Sequence, residues 1–447
     1  MNDRFTSLLE HTYVDFQQTS EIVKDPLIFT RAEGIYLWDI NGKRYYDAIS
    51  GIFVAVLGHR HPRVMAAMQS QMEKITFSPP LHGTTEVYLR FIEKLGSITP
   101  PNLSFIKSFS GGSESIEAAM KFTRQYHKQS GHPEKYKFIS LYGGYHGGTF
   151  GALAATGSAR HKNKFEPHMS GFIKVFSPLH YRDVFSSWEE ANRFAANLIE
   201  DVIIQEGPET IAGFIIEPIS NVSGVVTPTD EYFHIIREIC TRHQVKMILD
   251  EIVTGFGRTG EMFAAQTFGV IPDIICAGKG LSSGAVPMGA MIANHEMAEP
   301  FRGPAEDNVQ FFHGHTYSGN PLSAAVGIAV IDELVEKQLP QKARIMGAYL
   351  NERLQEFRKY GVIREIRGKG LLRGIEFVQD TSTMEPFPTG RKLGDAMKKT
   401  AISNGLILRV QGDYLSVAPP LIVDKSDIDE LIALLDKSLD EALALVS

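Results

Sequence analysis

From about residue 65 to 330, helix-period stretches alternate with short runs of β-branched and aliphatic residues. The runs are "FIKSFS", leading into "ESIEAAMKFTRQYHK"; "KFISLYGG"; "AGFIIEPIS", leading towards "EYFHIIREICTRHQ"; "KMILDE"; and "DIICAGKG". Short apolar strands that alternate with helices are buried between helical layers. The pattern therefore predicts an α/β domain built on a mostly parallel sheet.

The grammar differs on both sides of this block. "GIYLWDINGKRYYDAISG" (34–51) predicts a hairpin turning at Asn41-Gly42. Beyond about 335, a helix ("KARIMGAYLNERLQEFRKYG") leads to a strand pair ("IREIRGKGLLRGIEFV"), a helix, a second pair ("LILRVQGDYLSVAP") and a closing helix. This predicts a smaller α+β domain. The N-terminal segment is too short to bury a core alone and is expected to join it. The expected organisation is residues 1–64 joining the small domain, 65–330 as the large domain and 331–447 as the small domain.

Composition narrows the function. The chain has 447 residues, 43% of them hydrophobic, and a formal charge of -7. That is enough for a large core, with no bulk attraction for nucleic acid or anionic lipid. The basic stretch "GSARHKNK" (157–164) reads as a short solvated cluster. Two cysteines, Cys240 and Cys276, give neither a disulfide framework nor metal-ligand spacing, and Cys276 reads as a buried, inert thiol. The first residues carry charges throughout and show no signal peptide. No apolar stretch approaches the ~20 residues of a membrane span. The expectation is a cytoplasmic protein with no metal.

Four strand-like runs end in polar or glycine-rich clusters: Ser110 to Ser113, "GGYHGG", Asp250 and Lys279. In open parallel sheets, ligands bind beyond the carboxyl ends of the strands, so neighbouring strands would gather these clusters on one rim. Gly111-Gly112-Ser113 opens a helix, where free N–H groups and the dipole favour a phosphate. Taken alone, it reads first as a plain N-cap. Lys279 reads as a snorkelling surface lysine, or as an amine whose pKa burial lowers until it forms Schiff bases. Asp250 ends a buried strand and needs a cationic partner or backbone donors. Tyr145 is either a packed turn aromatic or a stacking ring. Together the four supply a phosphate cradle, a stacking ring, an anion for a ring nitrogen and an amine for an aldehyde. Pyridoxal 5'-phosphate requires those four things.

At this point the chain resembles a class III (ω-) aminotransferase. The resemblance runs nearly end to end, through "LGHRHPRV", "SGGSESIEAA", "YHGGTFGALAATG", "LDEIVTGFGRTG", "PDIICAGKGLSSGAVPMGA", "HGHTYSGNPLSAA" and "LILRVQGDYLSVAPPLI". It implies the pyridoxal-phosphate fold type I, an aspartate-aminotransferase-like α/β fold with a seven-stranded type of sheet. It also implies roles. Lys279 would bond to the cofactor aldehyde and carry the proton, and Asp250 would hold the ring nitrogen protonated. Tyr145 and Ile252 would pack on the two ring faces, while Gly112 and Ser113 would bind phosphate. Glu217 would support the network near Asp250. Thr316 would reach the phosphate of the other subunit in a homodimer or tetramer. Arg409 matches a mobile arginine that binds the substrate carboxylate in some members. Read alone, it is a surface arginine on a hairpin. Ile52, Phe53, Leu81 and His82 would shape the substrate pocket, the last two from the partner subunit.

The sequence departs from the family pattern in places. Its phosphate loop reads "SGGSES" rather than "SGSEA". Ile52 and Phe53 stand where amine-specific members carry tryptophan, and Val253 where members acting on 4-aminobutanoate or ornithine carry glutamine. The implied reaction is a ping-pong transfer from a primary amine or ω-amino acid to a 2-oxo acid, with pyruvate expected. The rivals are an aminomutase or racemase on the same fold, a decarboxylase, a non-catalytic binding protein of this fold, and a nucleotide-binding α/β enzyme.

Overall fold

The computed structural model describes residues 2–388 and 392–446. At its centre lies a seven-stranded sheet. Its spatial order is Leu103–Phe109, Gly289–Asn294, Ile274–Ala277, Lys246–Asp250, Ile211–Ile216, Lys137–Leu141 and Phe172–Val175. The last five of these run parallel to one another. Gly289–Asn294 is antiparallel to both of its neighbours. Leu103–Phe109 consequently points the same way as the parallel five, although it is not adjacent to them. The four clusters do share one rim, but the loop at Gly111 arrives there across an antiparallel strand.

Burial explains why these runs are strands. Every residue of Ile211–Ile216 and Ile274–Ala277 is buried, which only a sheet covered on both faces allows. Helix Gly112–Gln129 turns Ile116, Ala119, Met120 and Phe122 inward. Helices Trp188–Glu206 and Asp230–Arg242 start where Ser187 and Thr229 accept the N–H groups of Glu190 and Tyr232. Each large core side chain, such as Phe122 or Phe214, contributes roughly 1.5–3 kcal/mol of apolar burial.

The N-terminal hairpin joins Tyr36–Asp39 to Arg44–Asp47, antiparallel. Gly42 sits at φ 82° in its turn, which glycine adopts without strain. Asp39 Oδ1 accepts the N–H groups of Asn41 and Lys43, each at 2.9 Å. On its other edge, Arg44–Asp47 pairs in parallel with Leu406–Ile407. The run "LILRVQ" therefore divides between two sheets. Leu406–Ile407 completes the N-terminal sheet, while Arg409–Gln411 ends a second antiparallel sheet with Ile363–Lys369, Leu372–Phe377 and Tyr414–Val417.

That second sheet is latched to the loop after Ile211–Ile216. The Tyr414 hydroxyl donates to the Val222 carbonyl, and Arg367 Nε donates to the Gly224 carbonyl at 2.7 Å. Fully buried Arg258 adds a clamp, donating to the carbonyls of Leu371 and Pro419 and to Ser50 Oγ. Both cysteines are buried and free, and burial raises the Cys276 thiol well above its ordinary value. Among the described residues no helix is long and apolar enough to cross a membrane, and no cluster could hold a metal ion.

Candidate active site

A cavity of about 250 Å³ opens beyond the carboxyl rim of the sheet. It is lined by Lys279, Asp250, Glu217, Tyr145, Gly112, Ser113, Ile252, Ile52, Phe53 and Arg409 among others. Nine chain segments meet there, and tertiary packing alone brings them together.

Asp250 is the last residue of its strand and is only 4% exposed. His146 Nδ1 lies 2.8 Å from Asp250 Oδ2, and the Ile252 N–H donates to Oδ1 at 3.2 Å. No lysine or arginine is bonded to this carboxylate among the described residues. A buried carboxylate of this kind fits a cationic group supplied from the cavity. The neighbouring Glu251 faces the other way. It accepts the N–H groups of Ala264 and Ala265 and the Thr254 hydroxyl, and burial pushes its pKa up to about 7. It does not line the cavity.

Lys279 follows strand Ile274–Ala277 at φ 42°, in the left-handed region. A side chain held there costs of order 1–3 kcal/mol, a strain that clusters at functional sites. Its ammonium forms no hydrogen bond or ion pair among the described residues and lies 6.0 Å from the centre of the Phe53 ring. Burial lowers its pKa, against the pull of Asp250 and Glu217. That favours the neutral, nucleophilic amine.

Gly112 begins an 18-residue helix, so first-turn N–H groups without helical partners face the cavity. A Cβ on Gly112 would lie 2.6 Å from Ile252 Cδ1, so any larger residue there would have to push the Ile252 side chain aside. Ser113 Oγ accepts the Gly148 N–H at 3.1 Å, tying the helix start to the glycine-rich loop. The same loop is tied to the next strand, where Glu217 accepts the Tyr145 N–H at 3.0 Å. Burial raises the Glu217 pKa to about 7. Arg409 lies 5.9 Å from the Phe53 ring centre and has no carboxylate partner among the described residues. Its guanidinium lines the cavity, and burial lowers its pKa.

Residues 18–439 match the family model of the class-III aminotransferases. The chain belongs to the class-III aminotransferases. It is 33% identical over 437 residues to a putrescine–pyruvate aminotransferase of Pseudomonas aeruginosa, covering 97% of this chain and 94% of the relative. A mitochondrial γ-aminobutyrate transaminase of Oryza sativa is 32% identical, covering 93% and 81% of the two chains. The fold superposes on an (S)-enantioselective ω-transaminase from Thermomicrobium roseum with a TM-score of 0.94, 35% identity and 99% of each chain covered. It superposes on the Pseudomonas jessenii ω-transaminase in complex with PMP with a TM-score of 0.95, 33% identity and 98% of each chain covered.

This aminotransferase accordingly depends on pyridoxal 5'-phosphate and moves an amino group between an amine and a 2-oxo acid. Its own residues fit that cofactor. The helix start suits the phosphate, the Asp250 carboxylate, bonded to no lysine or arginine among the described residues, suits a protonated ring nitrogen, and the unpaired Lys279 amine suits the aldehyde.

Three expected site residues lie outside the cavity of this aminotransferase. Leu81 is 92% exposed, and His82 and Thr316 are exposed as well. Sequence reasoning overlooked others that line it: Phe16, His161, Asn221 and Val222, and it left His146 out of the catalytic set. His146 had a signal, because it follows Tyr145 in a glycine-rich strand-end loop. Phe16 and Asn221 had none, since distant packing places them.

Proposed function

We propose that this aminotransferase takes its amino group from a primary amine or ω-amino acid and gives it to a small 2-oxo acid, pyruvate in the first instance. The observation that carries this reading is the pairing, in one cavity, of a Lys279 amine and an Arg409 guanidinium that, among the described residues, no acid neutralises. Only the 2-oxo acid and its amino acid product always bring a carboxylate, and a guanidinium fork suits one.

The chemistry supplied by pyridoxal 5'-phosphate, when bound, is an aldehyde that condenses with amines and a ring that draws electrons from the adjacent carbon. The N–H groups at Gly112 and the Ser113 side chain hold its phosphate. Asp250, oriented by His146, keeps a proton on its ring nitrogen. Tyr145 and Ile252 confine the ring. Lys279 Nζ would stand at the cofactor's aldehyde, and as a free amine it would take a proton from the substrate carbon and return it. Glu217 fixes the Tyr145 loop. Ile52 and Phe53 form the apolar wall against the amine side chain.

We place the working unit as a homodimer. Phe312, Tyr317 and Phe77 are 81%, 59% and 44% exposed, and the Phe77 and Tyr317 rings meet at 6.2 Å, an apolar surface next to Thr316 that suits a partner. Thr316, Leu81 and His82 then complete the partner's cavity. We divide the chain at 64 and 330, and assign it to the cytoplasm, where two free thiols stay reduced.

The test is a donor panel in half-reaction. Each amine is added without acceptor, and loss of the cofactor's visible band is followed. Alkyl amines, aryl amines or ω-amino acids that discharge the band, with recovery on adding pyruvate, support the reading. If no amine discharges it, the reading fails.

A further inference from the structure

The stretch "GSARHKNK" does not lie in solvent throughout. Residues Ala159–Lys162 form a short helix against the cavity, and His161 lines the cavity wall. Three contacts hold its ring. Phe16 meets it edge-on, with centroids 5.4 Å apart and planes at 81°. Tyr145 lies 4.9 Å away at 57°. Nδ1 sits 2.8 Å from Ser158 Oγ. Among the described residues no hydrogen bond uses Nε2. With the serine hydroxyl donating to Nδ1, the ring proton stands on Nε2.

The surroundings keep this imidazole neutral. Burial lowers its pKa first, and the positive charges of Arg160 and Arg409 lower it further. A neutral ring beside Arg409 adds no charge to repel it, yet still offers one N–H. The guanidinium alone leaves acceptor capacity on a bound carboxylate, which has about four lone-pair sites. His161 and Arg409 line the same cavity of about 250 Å³, close enough for the Arg409 charge to act on the His161 ring.

We propose that His161 is a specificity-determining residue that donates a hydrogen bond from Nε2 to the substrate carboxylate bound by Arg409. The inference rests on the reading of Arg409 given above and goes beyond it. The cavity selects 2-oxo acids over plain aldehydes by two groups, one charged and one neutral. Ser158 positions the second by fixing its tautomer, and Phe16 by fixing its plane.

The experiment uses the enzyme loaded with cofactor and two probes. Butanoate carries a carboxylate but neither amine nor oxo group, so calorimetry reads binding without turnover. Pyruvate and acetaldehyde differ by one carboxylate, so the ratio of their KM values in the recovery half-reaction reads its recognition. His161→Phe keeps the ring contacts and removes the N–H. It is expected to weaken butanoate about tenfold and to raise the pyruvate-to-acetaldehyde KM ratio by a similar factor. His161→Gln, which restores a donor, is expected to recover most of both, and Ser158→Ala to lose a smaller part. Unchanged butanoate binding in His161→Phe overturns the assignment, as does a parallel rise of both KM values. If His161→Phe does not fold, Ser158→Ala decides, and unchanged butanoate binding there overturns it. Wild-type enzyme that never loses its visible band with any amine defeats the transamination reading instead, while the butanoate arm still tests His161.

Discussion

His146 Nδ1 and Asp250 Oδ2 stand 2.8 Å apart, and neither residue is more than 4% exposed. The imidazole fixes a carboxylate that no lysine or arginine pairs with among the described residues. His146 Nε2 is itself buried without a hydrogen-bond partner, so the ring is retained at a cost of about 1–3 kcal/mol. Removing the Nδ1 donor with His146→Phe is expected to weaken cofactor retention ten- to a hundredfold, the scale of one hydrogen bond to a charged group. His146→Asn, which keeps a donor, should lose less. Dialysis against buffer, followed by cofactor absorbance, measures both.

Lys279 carries the proton-transfer step. Lys279→Ala is expected to abolish the visible signature of covalently held cofactor and to lower turnover by at least about 10³-fold. Full turnover with an unchanged spectrum would defeat the mechanism.

Arg409 is expected to govern the acceptor. Arg409→Leu removes charge-assisted hydrogen bonds worth roughly 1.5–3 kcal/mol, so the KM for pyruvate should rise ten- to a hundredfold. Steady-state kinetics with pyruvate varied, at a saturating donor without a carboxylate, gives the number. An unchanged KM would return Arg409 to the role of a surface residue.

Subunit mixing tests the shared site. Lys279→Ala and Thr316→Glu protomers are each expected to be inactive as homodimers. Mixed, they form heterodimers in which one site receives an intact Lys279 from one chain and an intact Thr316 from the other. Activity should then reappear, at up to half of the sites of each heterodimer. No recovery on mixing would show that Thr316 does not cross to a partner.

Glu251 sets a pH dependence of stability. Its folded pKa, near 7, lies above the ordinary 4.5. Between those values the folded state holds a proton that the unfolded state has lost. Stability therefore falls as pH rises through this window, by an amount on the order of 3 kcal/mol. Thermal melts of wild type across pH 5–7 should show the fall, and Glu251→Gln should flatten it. Parallel profiles for the two proteins would rule Glu251 out as the cause.

Much of this was legible in one dimension. The alternation of apolar strands and amphipathic helices determined the α/β class, because the 2.0 and 3.6 residue periods are local. Lys279, Asp250, Tyr145, Gly112 and Ser113 were legible because each sits at a strand end or helix start, where backbone geometry assigns a chemical use. The tertiary structure decided the rest. It ran Gly289–Asn294 antiparallel between Leu103–Phe109 and its expected neighbours, and it divided "LILRVQ" between two sheets. It turned Glu251 away from the cavity that Asp250 faces, which strand alternation permits but does not aim. It brought Phe16 and His161 to the same wall, although nothing in either segment names the other. Contacts between segments far apart in the chain depend on which surfaces find complementary volume, and that is settled only when the whole chain has packed.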